Sequence, residues 1–298
     1  VFSHITNPFA ISDNTFKSNY DSSPATLYVP TGTKEAYQAI KGWTFFQAIE
    51  EGEAKVASVN GINYFCNIDS KKATVIAGNY PWTVEIPATI TVDDAEYAVK
   101  AIGASAFYNF GGGKIILPEG LETIDDKAFN LCYNLSSIVL PKGLESIGSK
   151  ALSGCFSLKT IELPSSLKRI GNNAFEGNRN MKTVISHILN PFDISDDTFM
   201  YNGEPSPATL YVPAGTKSKY EEATGWNFQG GIVEMEPGDG DADGNGEITM
   251  ADVMAILSYL LGEAPEGFDE TAADINGDGE VTISDALIVM GMIPQDNR

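Results

Sequence analysis

Hydrophobic positions in the middle of the chain recur about every 23 residues. Three copies of one phrase begin at Leu121, Leu144 and Leu167, and a looser copy occupies residues 102–107. Each copy has an isoleucine near its start and an alanine followed by a large apolar residue near its end. A unit of this length cannot bury its own apolar residues, whereas stacked units bury a continuous core. The pattern therefore predicts a solenoid built from short repeats.

The segments between these copies alternate as half-buried strands do. Ile138 and Leu140 are expected to point inward and Val139 outward, and Pro141 should end the strand because it cannot donate to a ladder. The outward positions of successive strands define the predicted repeat face: Lys114, Ile116, Ser137, Val139, Thr160, Glu162, Thr183 and Ile185. Its apolar members indicate a ligand-binding stripe, although a β-branched surface is equally expected of good sheet-forming sequence.

The recurring pattern I-G-x-x-A-F…C-x-x-L-x-x-I-x-L-P over residues 101–185 resembles the BspA-type leucine-rich repeat family. The resemblance implies a mixed α/β repeat, namely a leucine-rich-repeat solenoid with a curved, β-rich sheet and short helical turns. It also implies a secreted or bacterial cell-surface protein that acts in adhesion. Cys132 and Cys155 lie one period apart and are expected to be buried neighbours, as a ladder of thiols or as a bridged pair. Cys66 is expected to be a lone buried thiol.

The first 47 residues are repeated 183 positions later, with 28 identities and no gap. In both copies Ala-Thr-Leu-Tyr-Val-Pro predicts a strand, a short helix with a tyrosine follows, and a tryptophan packs back as a terminal cap. Four further strands are predicted, at residues 61–65, 73–76, 84–87 and 96–99. With no initiator methionine or signal peptide, Val1 is interpreted as an internal start within a longer precursor.

This organisation predicts three parts of the chain. Residues 1–53 form the carboxy-terminal cap of a preceding repeat block, and residues 54–236 form a leucine-rich repeat domain. That domain divides into an amino-terminal cap at 54–100, repeats at 101–185 and a terminal cap at 186–236. The repeat ends at a Pro/Gly-rich boundary, and residues 237–298 follow a different pattern.

Residues 241–252 and 274–285 fit two oxygen-rich calcium loops, 33 positions apart. Ca²⁺ takes about 6–8 oxygen ligands, which alternate loop positions supply around a sharp glycine turn. The predicted ligands are Asp241, Asp243, Asn245, Glu247, Thr249 and Asp252, with Asp274, Asn276, Asp278, Glu280, Thr282 and Asp285 in the second loop. The glutamates are expected to ligate through backbone carbonyls and the threonines through a water. Ile248 and Val281 are expected to pair the loops in a short ladder.

Each loop precedes an apolar helical pattern and ends in aspartate rather than glutamate, and this arrangement over residues 238–293 resembles a dockerin domain. The resemblance implies a small all-α module that folds around two Ca²⁺ ions and binds a cohesin-like partner. Family contact positions 10 and 11 fall on Met250, Ala251, Ile283 and Ser284. The pair in the first loop, Met250 and Ala251, differs from the pair in the second, Ile283 and Ser284. The basic residues that many dockerins carry on their helices are absent here. The alternative is that the module docks on its own repeat domain or stabilises the carboxy terminus.

The net charge and the absence of known motifs argue against several classes of function. The formal net charge is −21, and residues 237–298 contain 14 acidic residues and one basic residue, which argues against nucleic-acid binding. No apolar run approaches the roughly 18 residues of a membrane span. The sequence has no nucleophile elbow, phosphate loop or zinc spacing, and a structural role is expected for its two histidines, His4 and His187.

The sequence therefore predicts a non-enzymatic, secreted or cell-surface interaction protein with a protein- or glycan-binding repeat face. The alternative is a non-catalytic part of a polysaccharide-degrading complex whose catalytic module lies upstream of this chain. A weaker hypothesis is that the chain itself hydrolyses glycosides, because paired carboxylates cannot be recognised from sequence alone.

Overall fold

The structure is a computed structural model that describes residues 3, 5, 7–11, 23–40, 43, 46–235 and 237–293. Most of these residues form a β-solenoid of about seven turns with few short helices, followed by a small helical region. The fold class predicted from the repeats is therefore confirmed. His4, whose structural role was predicted, lies outside the described residues.

The segment predicted to be the first cap contains a strand–helix–strand unit. Its elements are β1 (Ser23–Val29), α1 (Lys34–Ala39) and β2 (Phe46–Glu51), with β1 and β2 parallel in a two-stranded sheet of their own. The Tyr37 and Trp43 rings meet edge to face, with centroids 4.9 Å apart. The indole N–H of Trp43 donates to the carbonyl of Phe9 at 2.8 Å. The strand, the short helix and the packed tryptophan predicted for this segment are confirmed.

A mixed sheet leads into the repeats. Its region contains β3 (Ala54–Val59), β4 (Ile62–Asn67), β5 (Lys72–Val75), β6 (Thr83–Glu85), β7 (Thr89–Val92) and β8 (Ala95–Ile102). Strands β3, β4 and β5 are antiparallel neighbours, and β5 pairs parallel with β8. Strands at all four predicted places are present, whereas β3 and β7 were not predicted.

Parallel ladders hold the coils of the solenoid together. The strands are β9 (Lys114–Ile116), β10 (Thr123–Ile124), β11 (Ser146–Ile147), β12 (Thr160–Leu163), β13 (Arg169–Ile170) and β14 (Thr183–Ser186). Strands β8, β10, β11 and β13 form a ladder that was not predicted, in which isoleucines from successive coils lie side by side. The other ladder is divided, because β6 pairs with β9 whereas β12 pairs with β14.

The prediction of a strand at residues 138–140 is wrong, because this segment forms no strand hydrogen bonds. This segment joins neither of the adjacent ladders, although Ile138 and Leu140 are buried and Val139 is 79% exposed, as predicted. Burial follows from the apolar side chains, whereas a ladder also requires the backbones of neighbouring coils to approach in register. The sequence pattern specifies the burial of these side chains but not the pairing of the backbones.

The second cap repeats the architecture of the first. Its elements are β15 (Met200–Tyr201), β16 (Glu204–Pro205), β17 (Thr209–Val212), α2 (Lys217–Glu222) and β18 (Ile232–Glu234). Strand β17 extends the ladder from β14 and also pairs with β18, so the cap covers the last coil. Tyr220 is buried against Trp226, as Tyr37 is against Trp43.

Glycines and aromatic rings control how closely the coils stack. An added methyl group at Gly148 or Gly171 would overlap the backbone of the preceding coil, which explains the glycine of the repeat phrase. The rings of Phe107 and Phe129 stack in adjacent coils, with centroids 5.3 Å apart. Close packing of this kind turns separate repeats into one core.

The cysteines form part of the same core. All three are free and fully buried. Cys132 donates its thiol hydrogen to the carbonyl of Phe107 at 3.1 Å, and Cys155 donates to that of Phe129 at 3.3 Å. Each thiol therefore bonds to the coil before it, as in the thiol ladder rather than the bridged pair.

The carboxy-terminal region has a separate core of eight buried apolar residues, including Val253, Ile256 and Val289. Its helices are α3 (Met250–Leu260), α4 (Glu270–Ala273) and α5 (Ile283–Met292), and α3 packs against α5. No strands pair within residues 237–293, so the ladder predicted between Ile248 and Val281 is wrong. Both side chains instead pack against the helical core, which brings the loops together without backbone pairing.

Candidate calcium loops and repeat face

The first loop is closed by backbone amides that donate hydrogen bonds to side-chain oxygens of the same loop. The Asp241 carboxylate accepts from the amides of Asn245 at 3.0 Å and Gly246 at 2.7 Å, and Asn245 Oδ1 accepts from the amide of Glu247 at 2.8 Å. Gly246 has φ +87°, the left-handed conformation that the turn requires. The chain therefore folds around one centre that is lined by side-chain oxygens.

Three predicted ligands of this loop converge. Carboxylate oxygens of Asp241, Asp243 and Asp252 lie within 4.8 Å of one another. Oxygen ligands of Ca²⁺ lie at about 2.3–2.6 Å from the ion, so one ion can reach all three. The donor set is hard oxygen throughout, which suits Ca²⁺ rather than a transition metal.

The second loop repeats this closure. The Asp274 carboxylate accepts from the amides of Asp278 at 3.0 Å and Gly279 at 2.7 Å. Asn276 Oδ1 accepts from Asp278 at 2.8 Å, and Asp278 Oδ1 accepts from the amide of Glu280 at 2.9 Å. Equivalent atoms thus form equivalent bonds in two segments 33 residues apart.

The last aspartate of each loop also begins the following helix. Asp252 and Asp285 are fully buried, and each accepts from the backbone amide of the threonine that caps its helix, in a capping box. The Thr249 and Thr282 hydroxyls accept from the amides of Ala251 at 3.1 Å and Ser284 at 3.2 Å. These threonines therefore have a capping role beside their predicted ligand role.

Electrostatics in the second loop favour a bound cation. Burial raises the pKa of both Asp274 and Asp278, and the charge on Asp285 raises both further. The raised pKa values mean that the local environment destabilises the charged carboxylate form of both residues. A divalent cation would offset that cost, so the residues present fit Ca²⁺.

The predicted partner-binding positions are all at the surface. Met250 is 42% exposed and Ile283 is 63% exposed, and Ala251 and Ser284 are also exposed. The structure adds Met254 at 56% and Leu287 at 61%, which occupy equivalent places on α3 and α5. They were not predicted as partner-binding residues. The signal that could have identified them is their 33-residue spacing outside the buried stripe.

Six of the eight predicted repeat-face positions are exposed. Ile116 and Val139 are exposed, and Thr183 and Ile185 are half-buried. The remaining predicted positions are exposed: Lys114, Ser137, Thr160 and Glu162. The Glu162 Oε1 atom lies 2.6 Å from His187 Nε2, and this hydrogen bond lowers the pKa of Glu162. Glu162 is therefore engaged within the chain.

Two protein-family models match the chain. A BspA type Leucine rich repeat region matches residues 96–204 in six copies, and a Dockerin type I domain matches residues 239–293. Dockerin type I domains generally bind calcium and typically bind cohesins. Both modules are non-catalytic and are typical of extracellular or surface proteins. None of the described helices is long and apolar enough to span a membrane.

Similar solved structures are bacterial leucine-rich repeat proteins. One from Bacteroides capillosus is 25% identical and aligns over 44% of this chain and 97% of its own, with a TM-score of 0.39. The pneumococcal vaccine antigen PcpA is 20% identical over 71% of this chain and 56% of its own, with a TM-score of 0.45. A T. pallidum leucine-rich repeat protein is 21% identical over 60% of this chain and 100% of its own, with a TM-score of 0.40.

A comparison with curated proteins finds no match. With TM-scores below 0.5, the assignment rests on the family matches, the paired coils and the two closed loops. The chain carries a BspA-type leucine-rich repeat region followed by a dockerin type I domain.

Proposed function

We propose that this chain is a non-enzymatic, extracellular anchoring protein. Two Ca²⁺ ions, one in each loop, fold the dockerin domain, and that domain binds a cohesin-like partner. The repeat domain is thereby held in an assembly, where its sheet face is presented to a protein or glycan ligand.

The observation that carries this proposal is a matched apolar surface on the two dockerin helices. Met250 and Met254 on α3 have the same places as Ile283 and Leu287 on α5, and all four are exposed. Other apolar residues of the same helices are buried in the module core. Contiguous exposed apolar side chains mark surfaces that bind other proteins. Matching pairs on both helices are consistent with contact between α3, α5 and one partner.

Three separate clusters of buried residues support the proposed domain division. One lies within residues 1–53 and is centred on Tyr37 and Trp43, and the largest lies within residues 54–236. The third contains only residues of the dockerin domain. We therefore propose domain boundaries near residues 53 and 236.

The test is binding of the full chain to a panel of recombinant cohesin domains, in calcium and in EDTA. Truncation of a hot-spot side chain at an interface costs about 2 kcal/mol or more, or about 30-fold in affinity. Met254→Lys and Leu287→Lys should each weaken the complex by at least that factor, and EDTA should abolish it. Ile116→Lys is the matched control, because Ile116 is an exposed apolar residue of the repeat face.

Equal binding by all three variants, or binding that persists in EDTA, would contradict the proposed partner surface. The Ile116 variant has a second use on a glycan and matrix-protein array. Loss of an array signal in Ile116→Lys, with cohesin binding intact, would assign ligand binding to the repeat face.

A further inference from the structure

The two calcium loops are alike in sequence and closure but have different surroundings. Gly246 and Gly279 occupy the same loop position, with φ of +87° and +82°. A methyl group added at Gly246 would meet nothing within 4 Å. A methyl group added at Gly279 would overlap the imidazole of His187, at Nδ1 and Cε1. At this loop position, the second loop packs against the repeat domain and the first does not.

His187 is held firmly where the loop meets it. It follows β14 directly, and its side chain is 9% exposed. Its Nε2 atom pairs with Glu162, whereas its Nδ1 atom is buried without a hydrogen-bond partner of normal geometry among the described residues. The imidazole thus presents a fixed edge toward the loop backbone at Gly279.

The neighbouring positions show the same asymmetry. A methyl group added at Gly277 would lie 3.3 Å from Pro237 Cα and 3.4 Å from Ala214 Cβ in the terminal cap. At Gly244, the equivalent glycine of the first loop, the nearest atom would be the carbonyl oxygen of Gly267, at 3.7 Å and within the dockerin domain. The contact of the second loop with the repeat domain therefore extends beyond one residue.

This contact covers a surface with charged groups on both sides. A cavity of about 170 Å³ lies at the junction, lined by Val139, Lys142, Glu162 and His187 from the repeats and by Gly279 and Glu280 from the loop. Asp278 in the second loop is 8% exposed, whereas its counterpart Asn245 in the first loop is exposed. The second loop is therefore the more desolvated of the two.

We propose that the surface around His187 is a docking site for the second calcium loop of the same chain, and that docking and calcium binding at this loop reinforce each other. The docking surface fits the closed loop, in which the Gly279 backbone faces the imidazole. Calcium stabilises that closed form. Because such coupling is reciprocal, docking must raise the calcium affinity of the second loop, and calcium must strengthen docking. The inference rests on the proposed binding of calcium to both loops.

Docking leaves the proposed partner surface free. Met250, Met254, Ile283 and Leu287 remain exposed although the second loop contacts His187. In the calcium-loaded chain the dockerin domain would thus have a fixed orientation relative to the repeat domain, with its partner surface exposed to solvent.

Matched glycine variants of the full chain test this proposal. Gly246→Ala and Gly279→Ala introduce the same strain in the left-handed region, which should weaken one calcium site about tenfold. Gly279→Ala also creates the overlap with His187, so its affected site should weaken at least tenfold more. The double variant His187→Ala/Gly279→Ala removes the imidazole and should restore the affinity to the Gly246→Ala level. Calcium titration calorimetry measures the affinities, and small-angle X-ray scattering in calcium measures docking through the radius of gyration.

The expected result is a larger radius of gyration for Gly279→Ala than for wild type or Gly246→Ala. The proposal is wrong if the two single variants bind calcium equally, or if the double variant remains as weak as Gly279→Ala. A wild-type chain that binds no calcium would refute the proposed function itself. Calcium binding with indistinguishable glycine variants would refute only the docking site.

Discussion

Replacing Asp285 by alanine should destabilise the calcium-loaded dockerin domain while the repeats remain folded. The buried carboxylate accepts from the amide of Thr282 at 2.8 Å, its hydroxyl at 2.9 Å and the amide of Asn276 at 3.3 Å. The alanine variant leaves three donors without this acceptor, at a net cost of about 1 kcal/mol each, or about 3 kcal/mol together. A domain with only eight buried apolar residues in its core is expected to be marginally stable, so a loss of this size is large for it.

Hydrogen–deuterium exchange of peptides from residues 237–293 measures this effect locally. In calcium, these peptides should exchange faster in Asp285→Ala than in the wild type, while peptides from residues 101–185 stay protected. Asp269→Ala is the control, because Asp269 caps the short helix α4 outside both loops, at 2.8 Å from the amide of Thr271. The control should cost about 1 kcal/mol. Equal loss of protection in the two variants would refute the assignment of Asp285 to loop closure.

Two further predictions concern the solenoid core. Phe129→Ala should destabilise the repeats by about 3–5 kcal/mol, because the ring is fully buried and stacks on Phe107, whereas Val139→Ala should change stability by less than about 0.5 kcal/mol. Similar urea midpoints for both variants would contradict the packing described. All three cysteines should react with a thiol reagent in guanidinium and resist it in the native chain, because all three are fully buried. The neighbouring Cys132 thiol and burial also raise the pKa of Cys155. Rapid labelling of the native chain would contradict this.

Features that depend on side-chain pattern were predictable from the sequence. The 23-residue period gave the stacked coils, and alternation placed Ile138 and Leu140 inside and Val139 outside. The duplicated Tyr and Trp residues predicted the matching strand–helix–strand units at residues 23–51 and 209–234. Each of these features follows from which side chains must leave water, and that information is present in every repeat.

Features that depend on backbone approach were not predictable. The ladder through Ile124 and Ile147 requires coils to meet in register, and the segment at 138–140 has the side-chain pattern without the pairing. The same limit applies to the candidate site. Spacing identified both loops, but nothing local distinguishes Gly279 from Gly246, because the difference is a contact with His187, 92 residues away.

The central claim is that the carboxy-terminal domain is a calcium-folded docking module, and a calcium titration by calorimetry with thermal melts in calcium and in EDTA tests it most directly. We predict two bound ions per chain and a low-temperature transition that appears only in EDTA. Absence of calcium binding, with melts that coincide in the two buffers, would contradict the claim.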